Sequence, residues 1–170
     1  MLEELLGKEA SIYLVFSIIF NQSCKSEVAF KAPHELLKRL NMQSYDLYEI
    51  EARGYDALHS MIAEKPCLHR FPSVMAKYLY HSVLLLNEKY KSDPRNIWRG
   101  KSDSEILNEL TTLSGLGQHK AIQCLIYLNI LGELSEVSQK YIDYMSEKCA
   151  GLFINIDNDL QLIRSLPDNS

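Results

Sequence analysis

Leu113-Ser114-Gly115-Leu116-Gly117-Gln118-His119-Lys120-Ala121 is the stretch whose reading decides the fold. Two glycines one residue apart let the chain reverse with positive φ, a conformation that side chains resist. Upstream, Ser102 stands three residues before Glu105, the spacing of a capping box, and Ile106, Leu107 and Leu110 then recur at helical intervals. Downstream, a second helical pattern runs from about Gln118 to Leu131, where Gly132 stops it. The stretch is therefore predicted to join two helices through a tight turn. Such a turn leaves the first N–H groups of the second helix without intrahelical acceptors, and with the positive end of the helix dipole they attract anions such as a phosphate. A plain glycine-containing helix–helix turn has the same sequence requirement, so the motif alone leaves both readings open. A nucleotide-binding glycine loop has no support, because no strand precedes the stretch and no third glycine follows at the required spacing.

The same helical period extends outward in both directions. Val74, Leu79, Val83, Leu86 and Tyr90 form one stripe, on a helix opened by Phe71-Pro72-Ser73 and closed by Ser92-Asp93-Pro94. Further helices are predicted at about 10–21, 34–41, 55–64, 137–150 and 157–165. With five Pro, seven Gly and almost no β-branched alternation, the expectation is an all-α, compact multi-helix fold. A length of 170 residues suits a single domain spanning 1–170 around one core, and 46% apolar with 24% charged residues is globular rather than disordered.

Composition also narrows the setting. The longest apolar run, Ile12–Phe20, falls short of the roughly 20 residues that cross a bilayer, so no membrane association is expected. The start, Met1-Leu2-Glu3-Glu4-Leu5, is acidic where a signal peptide is basic, which points to the cytoplasm, or to the nucleoid in a prokaryote. Cys24, Cys67, Cys124 and Cys149 lie far apart, without metal-ligand spacing, and read as small buried hydrophobes. His34, His59, His69 and His81 show no pairing that suggests a metal, so no metal site is expected.

A net charge of −4 argues, taken whole, against a strongly electrostatic nucleic-acid binder. The charge is uneven, however. Residues 1–50 hold five Lys/Arg and seven Asp/Glu, residues 51–101 hold nine and five, and residues 102–170 hold four and ten. The basic middle is either a set of ordinary solvated helix faces or a local phosphate-facing patch.

Taken with its surroundings, the hairpin resembles that of the helix-hairpin-helix DNA glycosylase superfamily, the endonuclease III-like enzymes of base excision repair, which reads L-P-G-[VIF]-G-x-[KQ]-x-A. The likeness extends to Ile18-Ile19-Phe20-Asn21-Gln22-Ser23 and Ala29-Phe30-Lys31-Ala32-Pro33-His34-Glu35-Leu36. Leu68-His69-Arg70-Phe71-Pro72 with Met75-Ala76, then Tyr90 and Ile97-Trp98, is similar to a branch known as helix-hairpin-helix base-excision-repair-type proteins. The resemblance covers roughly residues 10–131.

The resemblance implies an endonuclease III-like fold, binding to duplex DNA carrying damage, and cleavage of the N-glycosidic bond of a flipped base. Gln22 matches the Gln that enters the duplex near the flipped nucleotide. Gly115, Leu116, Gly117 and Gln118 match the turn that holds a backbone phosphate, often with a monovalent cation, and Lys120 adjoins it. The position of the family's nucleophilic Lys is taken here by His119; Lys120 follows, about 100° further round the helix. His119 is read as a lining residue or a proton carrier.

The Asp that competent relatives carry further on falls at Val137 or Ser138, leaving Glu136 and Asp143 as the nearest carboxylates. The family's C-x6-C-x2-C-x5-C loop has no counterpart, so no iron–sulfur cluster is expected. Tyr78, Tyr80, Trp98, Tyr127, Tyr141 and Tyr144 are candidates for stacking an extruded base. The expected function is a DNA-binding base excision repair protein, a DNA glycosylase with Lys120, His119 and Glu136 as catalytic candidates. The alternatives are an inactive recogniser of DNA damage and a helical protein-interaction module.

Overall fold

The apolar run at Ile12–Phe20 lies in a helix, α1 (Lys8–Phe20), buried on every side from Glu9 to Phe20. A helix apolar all round must be wrapped by others. In this computed structural model, which describes residues 6–148 and 156–166, α1 is packed by α2 (Ser26–Arg39), α5 (Pro72–Lys89), α8 (Gln118–Ile130) and α10 (Ile156–Arg164). Between them run α3 (Leu47–Arg53), α4 (Tyr55–Ala63), α6 (Arg95–Trp98), α7 (Asp103–Leu110) and α9 (Gln139–Lys148). The described residues form helices and no strand, the all-α class expected, and one hydrophobic cluster extends from Leu6 to Ile163.

The helices around the hairpin begin and end where their caps dictate. The Ser102 hydroxyl accepts from the Glu105 N–H at 3.3 Å and starts α7. Pro72 stands in the first turn of α5, where a missing N–H does no harm. Gly132, at φ 87°, follows the end of α8. The helix expected over 137–150 is α9, whose N-terminus is tied to α7: the Asp103 carboxylate accepts from the Ser138 N–H at 2.7 Å and its hydroxyl at 2.6 Å.

Two elements differ from expectation. Helix α2 starts at Ser26 rather than after Pro33 and runs straight through the proline. An interior Pro costs about 3 kcal/mol, but Phe30 and Leu36 are fully buried against the core and contribute roughly 1.5–3 kcal/mol each. The Tyr45 hydroxyl also donates to the Pro33 carbonyl at 2.5 Å. Helix α3 was not anticipated; it is opened by Asp46, whose carboxylate accepts from the Glu49 N–H at 3.0 Å. Of the cysteines, Cys124 is buried as expected, Cys24 is half-buried and Cys67 is exposed, while Cys149 lies outside the described residues.

Candidate nucleic-acid interface

Helices α7 and α8 pack on one another, and the turn between them has the geometry its glycines allow. Gly115 sits at φ 87°, and a Cβ there would lie 3.0 Å from Cβ, Cγ and Cδ2 of Tyr78 on α5. Glycine is therefore required at 115 by both backbone and packing. Gly117 differs: its φ of −76° and ψ of −178° are ordinary extended backbone, and a Cβ would meet nothing within 4 Å. Leu113 and Leu116, each 2% exposed, anchor the turn in the core, while Gly117 and Gln118 are exposed. No side chain caps the start of α8.

The hairpin carbonyls point into the protein. Leu113 O accepts from Leu116 N–H at 3.2 Å, Ser114 O from the Ser82 hydroxyl at 2.9 Å, and Gly115 O from Gln22 Nε2 at 3.0 Å. Carbonyl and amide of a trans peptide point in opposite directions, so the Gly115 N–H faces away from Ser82. The turn thus directs acceptors inward. A monovalent cation, as implied by the resemblance, needs several carbonyl oxygens converging on it, and these three are already engaged; no step below involves one.

The loop between α1 and α2 is fastened to this turn. Gln22 Nε2 donates to Ile19 O at 2.9 Å as well as to Gly115 O, which uses both amide hydrogens and leaves Oε1 as its acceptor. The Gln22 carbonyl accepts from His69 Nε2 at 2.7 Å, and His69 Nδ1 accepts from the Phe71 N–H at 3.0 Å, which sets the tautomer of this buried ring. Arg70 donates to Ser23 O at 2.5 Å, and its guanidinium lies 5.4 Å from the centre of the Phe71 ring. That ring is 49% exposed, with Val74 beside it in sequence at 43%.

Three segments far apart in sequence, residues 21–25, 69–71 and 113–120, are therefore joined at one site. Burial pushes the Cys24 thiol up, against opposing influences from the Gln22 backbone, Lys120 and Arg70. Both cations thus act on this loop.

His119 and Lys120 diverge. The His119 ring meets Tyr144 of α9 edge-on at 6.0 Å, and burial, aided by the Lys120 charge, pushes its pKa down, favouring the neutral imidazole. Lys120 Nζ instead donates to Gln123 Oε1 at 3.4 Å. Glu136 lies elsewhere, exposed at the edge of a cavity of about 520 Å³ that Trp98, Lys101, Asp103, Glu133 and Ser138 also line. That cavity adjoins the N-terminus of α7, whereas the hairpin adjoins its C-terminus, one helix of 8 residues or about 12 Å away. Asp143 is exposed and accepts from Gln139 Nε2 at 2.9 Å.

The basic middle third is largely neutralised locally. Arg53 pairs with Glu49, Arg95 with Asp93, Arg99 with Glu133 and Lys101 with Glu109. Among the aromatic candidates, Trp98, Tyr127 and Tyr141 are core residues, while Tyr78, Tyr80 and Tyr144 are half-buried. Sequence reasoning did not place His69, Arg70, Phe71 or Ser82 at the site. The local signal was His69-Arg70-Phe71 directly before a helix-starting Pro72, a corner where side chains project.

Among the described residues no group of three or more His, Cys, Asp or Glu could hold a metal ion, and no helix is long and apolar enough to cross a membrane. Compared with known proteins, the chain matches no protein-family model and no curated protein.

Proposed function

We propose that the chain binds damaged duplex DNA at the α7–α8 hairpin and acts in base excision repair. The observation that carries this reading is the convergence of an uncapped α8 N-terminus, Lys120 and Arg70 on the loop 21–25. Exposed amides of a helix start take a phosphate without side-chain charge, and two flanking cations strengthen the attraction. Open space over Gly117 leaves room for a backbone phosphate to approach. The exposed Phe71 ring, backed by Arg70, offers a stacking face to a base that has left the helix.

If a base is released, Lys120 is the nucleophile in this proposal. Its amine, after losing a proton, forms a bond to the sugar C1′ as the N-glycosidic bond breaks; the base departs with the bonding electrons and takes up a proton, leaving an imine on opening of the sugar. The neighbouring neutral His119 is a suitable acceptor for the lysine proton.

A second reading, a recogniser of damage that does not cleave, is favoured by the position of Glu136 one helix away from the hairpin. Borohydride trapping on a duplex with an abasic site separates the two. A covalent adduct lost in Lys120→Ala supports cleavage. Salt-dependent affinity without an adduct supports recognition alone, and no salt-dependent affinity for any duplex rejects both.

A further inference from the structure

Lys120, Gln123 and Tyr127 stand three and four residues apart on α8 and share one face of it. The bond from Lys120 Nζ to Gln123 Oε1 orients that amide, turning Nε2 away from the ammonium. The Gln123 side chain faces the Tyr127 hydroxyl, which donates to Asp159 Oδ2 on α10 at 3.4 Å. Gln123 and Asp159 are each 1% exposed. The same carboxyl faces the hydroxyl of Ser26, in the first turn of α2 and directly after the loop 21–25. One buried side chain from α10 thereby reaches both elements that form the candidate interface.

Packing alone does not account for this choice of residue. Among the described residues Gln123 Nε2 and Asp159 Oδ1 make no hydrogen bond, and burial pushes the Asp159 carboxyl up, with the Ser26 and Tyr127 hydroxyls opposing and Glu27 adding to the rise. A leucine at 159 would dock α10 without these penalties. What leucine lacks is the acceptor that fixes the Tyr127 hydroxyl, and through it the Gln123 amide.

We propose that Asp159 is a positioning residue: through Tyr127 and Gln123 it sets the place of the Lys120 ammonium at the hairpin, and through Ser26 it steadies the end of the loop 21–25. The geometry stands by itself; its consequence for DNA rests on the reading above.

Two variants and two readouts test it. Tyr127→Phe removes only the linking hydroxyl, and Asp159→Ala removes the acceptor; Asp159→Asn keeps an acceptor oxygen. Without DNA, the rate at which an amine-acylating reagent labels Lys120, normalised to exposed Lys77 and read by peptide mass mapping, is expected to change by about two- to tenfold in Tyr127→Phe and Asp159→Ala, the size of one hydrogen bond. Asp159→Asn is expected to label as the parent does. With duplex DNA, the first two variants are expected to lower the slope of log affinity against log salt by about one phosphate contact, ~0.9.

Parent-like labelling of Lys120 in folded Tyr127→Phe overturns the proposal, and that variant decides the matter should Asp159→Ala fail to fold. Altered labelling in a protein that binds no duplex upholds the positioning role while the DNA reading fails. An unchanged salt slope in both variants of a DNA-binding parent overturns the link to the interface.

Discussion

Gln22 Nε2 and the Gly115 carbonyl lie 3.0 Å apart across 93 residues of sequence, and this one bond joins the α1–α2 loop to the hairpin. Because the amide also donates to Ile19 O, Gln22 braces the site before it can read anything. Gln22→Ala should cost about 1 kcal/mol of stability, and Gln22→Glu, which sets a carboxylate against two carbonyls, about 1–3 kcal/mol. At roughly 2–4 °C per kcal/mol for a chain of this size, thermal melts resolve both. A Glu variant that melts with the Ala variant would show that the amide hydrogens are not needed there.

The two hairpin glycines should separate cleanly. Gly115→Ala combines positive φ with contacts of 3.0 Å to Tyr78 and is expected to destabilise by about 1–3 kcal/mol in denaturant unfolding. Gly117→Ala has neither problem and should unfold within about 0.5 kcal/mol of the parent. Its effect is expected on duplex affinity instead, since a methyl group would occupy the space left for a phosphate. Equal stability of the two variants would contradict the packing of Gly115 on Tyr78.

Lys120 and Arg70 are expected to act as phosphate contacts. Each alanine substitution should then lower the salt slope by about 0.9 and weaken all duplexes alike, damaged or not. Lys101→Ala, whose ammonium is 2.6 Å from Glu109, should leave the slope as it is. A comparable drop for Lys101 would return the attraction to the basic middle third as a whole.

The pair α7–α8 was legible because its signals are local: a Ser102–Glu105 cap, two glycines, and a stop at Gly132. The start of α3 carried an equally local signal, Asp46 three residues before Glu49, that the apolar period hid by being only 7 residues long. The first half of α2 was lost to Pro33, whose local penalty is outweighed by burial that only the tertiary structure reveals. Gln22 and the hairpin were both visible, but not the bond between them. Asp159 was invisible as a site residue, since a lone Asp in an acidic tail gains meaning only when α10 docks on α1 and α2.

The buried Asp159 and the capping Asp103 should give opposite pH dependences. Burial raises Asp159 above its ordinary 3.8, so the folded state holds its proton more tightly than the unfolded chain; its contribution is complete below 3.8 and is lost as pH rises through the raised value. Asp103 is lowered, chiefly by the Ser138 hydroxyl, so its contribution is present above 3.8 and is lost as pH falls through the lowered value. Melting temperature measured from pH ~3 to ~8 should therefore show Asp159→Asn gaining on the parent as pH rises, with Glu9, also raised by burial, left unchanged in both proteins. Asp103→Asn should lose ground over the same rise, because the parent gains its cap as the carboxyl ionises. Parallel curves for the parent and Asp159→Asn would mean that the carboxyl is hydrated rather than enclosed between α8, α10 and the start of α2.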